Sequence, residues 1–165
     1  MSWYNANITE SDVNINNKVV SLSLDLFPHY KDCSRKVHSY IWNAVVIMIK
    51  RILIAEDDFS SREALTKLAT SFGFDVVAVA DGAELLSIAN AWKFDLIITD
   101  LIMPELNGAS VFEIMKLGGN NTPMIAVTGL SVHDIRFIKD KFVKIFYKPI
   151  NAKKLLNTSK SLIQR

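Results

Sequence analysis

The chain has 165 residues, half of them hydrophobic, and a formal net charge of only +2. This composition excludes a chain that is disordered throughout and favours one domain with a sizeable core. Cys33 is the single cysteine, which excludes an intrachain disulfide and favours a reducing compartment.

The first part of the chain, residues 1–47, is rich in Asn and Ser and has no period long enough to predict a domain. We interpret residues 1–47 as an N-terminal arm and residues 48–165 as the domain. Met48 directly precedes the first predicted strand, so two alternatives stay open: an arm that docks onto the domain, or a segment outside the native product. No signal peptide and no apolar run of about 18 residues is evident, so we expect a cytoplasmic protein without a membrane segment.

From Lys50 onward, short apolar runs alternate with helical patterns. The predicted strands are Ile52–Ala55, Val76–Val79, Leu96–Ile98, Met124–Val127 and Val143–Tyr147. Helical periods follow each of them, at residues 64–72, 85–89, 111–115, 135–142 and 155–163. Because the strand runs are continuously apolar rather than alternating, both faces of the sheet should be covered. The pattern predicts an α/β fold with a doubly wound five-stranded parallel sheet and helices on both faces.

Three helix starts carry the spacing of a capping box, in which a polar cap is followed three residues later by an acid. These pairs are Ser60 with Glu63, Asp81 with Glu84, and Ser131 with Asp134. Asn151 can cap the last helix. The pairs support the order of helices that the apolar periods predict.

Asp100 follows the third predicted strand, and Pro104 and Gly108 shape the turn beyond it. In an open α/β sheet, the carboxyl ends of the strands are where reactive groups gather. A carboxylate can attack phosphorus, but the donor oxygens are negative too, so a dication must bridge them. Mg²⁺ suits this task because it prefers oxygen ligands. Glu56 and Asp57 end the first strand and can supply further carboxylates.

Four motifs follow predicted strands in a fixed order: Glu56-Asp57-Asp58, Asp100-x-x-Met-Pro-x-x-x-Gly108, Thr128-Gly129 and Lys148-Pro149. With this combination, residues 49–165 resemble the receiver domain of two-component response regulators, of the stand-alone, single-domain type. The resemblance implies the flavodoxin-like strand order 2-1-3-4-5. It also implies that a histidine kinase or a histidine phosphotransfer protein phosphorylates Asp100 with Mg²⁺ as cofactor, and that the product alters partner binding.

The same resemblance implies a role for each site residue. Glu56, Asp57, Asp100 and the backbone carbonyl of Ile102 would bind the metal, and the distance to Gly73 selects Glu56 and Asp57 over Asp58. The Thr128 hydroxyl would donate to a phosphoryl oxygen, and the Lys148 ammonium would pair with the same group. Such a protein is a switch and not an enzyme.

Departures from the family pattern and other local features leave alternatives open. The interval from Thr128 to Lys148 is short, and residues 140–144 replace the small Gly-Ala pair often seen before the fifth strand, so the fourth helix and its loops are expected to be rearranged. Ile145 stands where the family usually has Tyr or Phe, which mildly favours a phosphorylation-independent interaction module. Ile102 stands where a Mg²⁺-dependent hydrolase would need a second acid, which disfavours that class. Ile102 and Leu130 are both apolar, so neither can position an attacking water, and we expect a long-lived phosphoryl group.

The C-terminal part of the chain is basic, with nine Lys and Arg against two Asp in residues 129–165. A face around Lys139, Lys141, Lys153 and Lys154 is therefore expected to attract an acidic target protein. The sequence indicates no groove of interleaved aromatic residues at these lysines, which disfavours nucleic acid as the partner. The sequence identifies neither the kinase nor the target.

Overall fold

The computed structural model describes residues 49–163. The interpretation of residues 1–47 as an arm lies outside this range. The described elements are β1 (Arg51–Ala55), α1 (Phe59–Ser71), β2 (Asp75–Val79), α2 (Gly82–Ala91), β3 (Leu96–Asp100), α3 (Gly108–Leu117), β4 (Met124–Thr128), a 3₁₀ helix (Lys139–Lys141), β5 (Lys144–Tyr147) and α4 (Ala152–Ile163). None of the described helices is long and apolar enough to cross a membrane.

The five strands form one parallel sheet in the order β2-β1-β3-β4-β5. This confirms the predicted doubly wound fold and its strand order. β3 is longer than its apolar run and includes Thr99 and Asp100. The register pairs Ala55 with Thr99, Asp100 with Val127, and Thr128 with Tyr147. The carboxyl ends of β1, β3, β4 and β5 therefore lie along one edge.

Successive side chains of each strand enter two different cores, one on each face of the sheet. One core contains Leu53, Ile97 and Ala126 and is covered by α2 and α3. The other contains Ile54, Ile98 and Ile125 and is covered by α1 and α4. The continuous apolar runs are thus explained by burial on both faces, as predicted.

Polar side chains cap the helices, although not always the ones that the sequence predicts. α1 begins one residue after Asp58, whose carboxylate accepts a hydrogen bond from the Ser61 N–H, so the predicted Ser60 and Glu63 pair is wrong. Asp81 caps α2 as predicted, and Asn107 and Asn151 accept from backbone N–H groups of the next two helices. Each cap satisfies donors that the first turn of a helix leaves free.

The connection from β4 to β5, residues 129–143, is rearranged, as its short length and the missing Gly-Ala pair predict, and the apolar period within it does not form a regular helix. Residues 132–138 form turns and are followed by the 3₁₀ helix, so the helix expected over 135–142 is absent. The Ser131 and Asp134 pair does form its hydrogen bonds, with Oγ of Ser131 donating to Oδ2 of Asp134 over 2.6 Å. A cap alone cannot extend a helix whose residues are mostly β-branched, aromatic or short and polar.

Candidate functional site

Three acidic side chains meet at the carboxyl edge of the sheet. Glu56, Asp57 and Asp100 each offer an oxygen within 4.8 Å of the others. The register explains this meeting, because Ala55 pairs with Thr99 and the residues that follow them are Glu56 and Asp100. Glu56 and Asp100 are each only 5% exposed, whereas Asp57 is exposed. The structure thus brings together three of the residues that the sequence singles out.

Lys148 supplies the positive charge beside these acids. Its Nζ donates to Oδ2 of Asp100 over 2.6 Å and to Oε1 of Glu56 over 2.8 Å. Partial burial tends to lower the pKa of Lys148, but the hydrogen bonds to Asp100 and Glu56 outweigh it, so the pKa lies above its ordinary value. The ammonium therefore stays charged at neutral pH. The Lys148–Pro149 peptide bond is cis.

The Asp100 carboxylate is held at both oxygens. While Oδ2 accepts from Lys148, Oδ1 accepts from the backbone N–H of Ile102 over 2.9 Å. The Asp100 carbonyl lies close to α3, because a Cβ added to Gly108 would sit 2.5 Å from that oxygen. Only glycine at position 108 lets the helix begin so near the end of β3.

Thr128 lies at the end of β4, one residue beyond Val127, the register partner of Asp100. It is fully buried, and its Oγ1 accepts a hydrogen bond from the Leu130 N–H over 3.0 Å. Its carbonyl accepts from the Lys148 N–H over 2.8 Å. The hydroxyl is thus held at the same edge of the sheet as Asp100, with its proton free to serve a further acceptor.

Asp58 serves the helix rather than the acidic cluster. Hydrogen bonding to Ser61, at the first turn of α1, lowers the pKa of the Asp58 carboxyl, and the charge of Lys148 adds to this effect. Its role as N-cap agrees with the assignment of Glu56 and Asp57, rather than Asp58, to the cluster.

Sequence reasoning missed Arg62, whose Nη1 donates to the Glu56 carbonyl over 2.6 Å and to the Asp57 carbonyl over 3.0 Å. One signal was available, because a cation in the first turn of a helix opposes the helix dipole and calls for a separate reason. An arginine that follows an acidic triplet so closely can reach back to it.

The donor set of the cluster fits a hard divalent cation. Three carboxylates offer oxygen ligands, and two of them are nearly buried. Mg²⁺ usually binds through one or two carboxylates and keeps several waters, and the exposed side of Asp57 leaves room for them. Within residues 49–163, no His or Cys takes part in the cluster, which disfavours softer metals such as zinc.

Comparisons with known proteins agree with this geometry. Residues 52–160 match the response regulator receiver domain family. Transcription factor prr1 of Schizosaccharomyces pombe is 37% identical over 112 residues, which cover 67% of this chain and 21% of that protein. The receiver domain of the Francisella response regulator 1452 is 28% identical with a TM-score of 0.67, covering 70% of this chain and 98% of that one. Chemotaxis response regulator CheY4 of Vibrio cholerae is 26% identical with a TM-score of 0.65, covering 70% and 99%.

The chain spans only about a fifth of the length of the first of these relatives. The similarity therefore concerns the receiver unit and leaves the expectation of a stand-alone protein a prediction.

Proposed function

The chain belongs to the response regulator receiver domain family, and from this premise we propose that it is a phosphoacceptor switch. Asp100 receives a phosphoryl group from a histidine kinase or a histidine phosphotransfer protein, and the product changes the affinity for a target. The observation that carries the proposal is the pair of contacts from Lys148 to Asp100 and Glu56. Through these contacts, the Lys148 ammonium lies against the buried Asp100 carboxylate at the carboxyl edge of the sheet.

The reaction is a transfer between two nucleophiles. A carboxylate oxygen of Asp100 forms a bond to phosphorus, and the bond from phosphorus to the imidazole nitrogen of the donor breaks. The Ile102 N–H and the Lys148 ammonium fix the orientation of the carboxylate before the attack. As charge moves onto the phosphoryl oxygens, Lys148 can shift from the carboxylate to one of them, and the Thr128 hydroxyl can donate to another.

Glu56, Asp57, Asp100 and the Ile102 carbonyl are the ligands that we propose for Mg²⁺. When bound, the ion supplies positive charge that screens the carboxylates from the phosphoryl oxygens. The protein keeps the group it receives and releases it only by hydrolysis or by transfer, so it acts as a switch and not as a turnover enzyme.

Mass spectrometry of the intact protein tests the proposal. With Mg²⁺ and acetyl phosphate, we expect the mass of one added phosphoryl group, which chelation of the metal prevents and which Asp100→Asn loses. Asp81→Asn is the matched control, because it makes the same change at the same edge of the sheet and asparagine is an equally good helix cap. An unmodified wild-type mass at saturating donor would overturn the proposal.

A paired comparison tests the choice of metal ligands within the acidic triplet. Asp57→Asn should weaken Mg²⁺ binding by about tenfold or more, because it replaces a charged carboxylate ligand by a neutral amide. Asp58→Asn should change it little, since Asp58 caps α1 and asparagine keeps that hydrogen bond. The opposite ranking would shift the ligand assignment by one residue.

A phosphorylation-independent interaction module is the second candidate, and Ile145 favours it. This side chain is partly buried against the core that contains Ile135 and Phe142. An aliphatic residue packed there offers no ring that could move inward with Thr128. If phosphorylated and unmodified protein bind the target equally, the module is the better description.

We also propose that the target is acidic and binds near β5 and α4. Lys139, Lys153 and Lys154 are exposed, as this role requires. Lys141 is less suited than the sequence predicts, because it is paired with Glu113 and its side chain is only 26% exposed. Reversal of charge at Lys153 and Lys154 should slow association and flatten its salt dependence. An unchanged on-rate would exclude this face.

A further inference from the structure

Arg62 is the one cation besides Lys148 that contacts the acidic loop through hydrogen bonds among the described residues. It does so through the backbone and not through the carboxylates. Its Nη1 lies 2.6 Å from the Glu56 carbonyl oxygen and 3.0 Å from that of Asp57. The half-buried side chain also packs over the Phe59 ring, with Cζ 5.6 Å from the ring centroid. The guanidinium is thus held between a ring and two carbonyls.

These two carbonyls lie just beyond the hydrogen-bonded ladder of the sheet. The pairing of β1 with β3 ends at Ala55, and the Glu56 N–H still donates to the Val79 carbonyl over 3.3 Å. Past that point, the chain has to turn into α1 while it keeps two carboxylates directed to the same place. A donor that bridges consecutive carbonyls fixes this turn, because it ties both peptide units to one rigid group.

We propose that Arg62 is a positioning residue for the metal site, holding the backbone from which the Glu56 and Asp57 carboxylates extend. The inference rests on the proposed Mg²⁺-dependent function and extends it. Groups that orient metal ligands without touching the metal typically change affinity by about 10 to 100-fold when they are removed. Asp57 depends most on this support, because it is exposed, whereas Glu56 is also held by Lys148.

Charge and positioning predict opposite results at this position, which makes the test decisive. A positive charge beside the site repels Mg²⁺, so its removal should tighten binding if Arg62 acts only through its charge. If it acts by holding the loop, removal should weaken binding despite the lost repulsion. We therefore expect Arg62→Met to weaken Mg²⁺ binding by about tenfold.

The measurement is a titration with Mg²⁺ alone. Binding is monitored through the backbone amide chemical shifts of residues 55–58 in two-dimensional NMR spectra. Arg62→Lys keeps the positive charge but loses the planar guanidinium that bridges the two carbonyls. We therefore expect an intermediate loss of Mg²⁺ affinity. Lys67→Met is the matched control, because it removes one exposed cation from the same helix and should leave the affinity within about twofold.

A second readout separates metal binding from the transfer step. In Arg62→Met, the Mg²⁺ concentration for half-maximal phosphorylation by acetyl phosphate should rise by about tenfold. The rate at saturating Mg²⁺ should stay close to that of the wild type, because Asp100, Thr128 and Lys148 are intact. A lower rate at saturating Mg²⁺ with unchanged half-saturation would contradict a positioning role.

Equal or tighter Mg²⁺ binding by Arg62→Met overturns the inference, provided that the wild type binds Mg²⁺. If the Met variant does not fold, Arg62→Lys decides in its place, and wild-type affinity in that variant overturns the inference. If the wild type itself neither binds Mg²⁺ nor accepts a phosphoryl group, the proposed function has failed rather than the role of Arg62.

Discussion

The two halves of the sheet are built differently: we call β2, β1 and β3 with their helices the regular half, and β4, β5 and the connection between them the irregular half. Around β2, β1 and β3, each strand leads into a helix with a hydrogen-bonded cap at Asp58, Asp81 or Asn107. Between β4 and β5, Ser131 and Asp134 form the same kind of contact, yet turns and a 3₁₀ helix follow. Asp100 and the acidic cluster lie in the regular half. Thr128 and Lys148, which would respond to a new phosphoryl group, flank the irregular half.

Backbone hydrogen bonds shape the turns of the β4–β5 connection, and a few side chains anchor it to the rest of the domain. Phe142 packs on Phe112 of α3 with ring centroids 5.7 Å apart, and Lys141 pairs with Glu113 of the same helix. Ile135 is buried in the core beneath. A segment anchored at a few points can change its path at lower cost than a regular helix. If Asp100 accepts a phosphoryl group as proposed, we therefore expect the conformational response in the irregular half.

The largest expected effect tests the anchors of the irregular half. Phe142→Ala should lower the free energy of unfolding by about 3 kcal/mol, because it removes a buried ring from the core. Phe137→Ala is the matched control in the same connection, since that ring is 80% exposed and its loss should cost less than about 0.5 kcal/mol. Urea unfolding gives both values. Similar losses in the two variants would mean that the connection does not depend on its buried contacts.

A pair of glycines contrasts the two halves at the backbone. Gly108→Ala would bring a Cβ to 2.5 Å from the Asp100 carbonyl oxygen, whereas a Cβ at Gly129 meets nothing within 4 Å. We expect the former to cost about 2 kcal/mol of stability through overpacking and the latter to be nearly neutral. The free energies of unfolding of both variants, measured by urea denaturation, test this expectation. Loss of stability at Gly129 would show that the irregular half is more tightly constrained than its contacts indicate.

The sequence predicts the regular half in detail, whereas for the β4–β5 connection it predicts a rearrangement but not the path of the chain. Strands buried on both faces leave continuous apolar runs, and strand ends in a parallel sheet gather at one edge, so the meeting of Glu56, Asp57 and Asp100 follows from chain order. The β4–β5 connection has the period and the cap of a helix. The conformation that this connection adopts depends on long-range contacts such as that of Phe142 with Phe112, which no local sequence pattern encodes. Arg62 was missed because its partners are carbonyls, which every residue carries.

The ion pair of Lys148 with Asp100 joins the two halves, and it makes the free energy of unfolding depend on pH in a direction that can be worked out. The folded-state pKa of Lys148 is raised above its ordinary value of 10.5. The stabilisation is therefore complete below about pH 10.5 and is lost as the pH rises through the folded-state pKa. We expect Lys148→Met to cost about 1 kcal/mol at pH 8, a modest value because the side chain is 35% exposed and solvent screens the pair.

Alkaline unfolding curves measure this effect. The stability difference between wild type and Lys148→Met should be constant between about pH 7 and 9 and should shrink above about pH 10.5. The control is Lys144→Met, at an exposed lysine in the first position of β5, which should show no such change. If the stability difference between wild type and Lys148→Met widens as the pH rises, Lys148 does not stabilise the folded state as a cation.

The smallest effect concerns the lifetime of the phosphoryl group on Asp100. Hydrolysis needs a water held in line with the bond between Asp100 oxygen and phosphorus, and polar side chains nearby can hold it. Ile102 and Leu130 each donate a backbone N–H to a site residue, to Asp100 and to Thr128 respectively. In receivers the positions two after the acceptor Asp and two after the Thr flank the water's path, and here both side chains are apolar, so neither can bind the water. We expect slow loss of the phosphoryl group for this reason.

The double variant Ile102→Asn with Leu130→Glu supplies polar groups on both sides of that path. Loss of the phosphorylated mass should become about threefold faster, equivalent to roughly 0.6 kcal/mol in the barrier. The matched control is Leu117→Asn with Val143→Glu, which makes the same kind of change at two exposed apolar residues near the opposite end of the sheet. Because a polar surface alone would affect both double variants, only a difference between them supports control of the water. Equal decay in wild type and in the Ile102 and Leu130 variant would show that other groups set the lifetime.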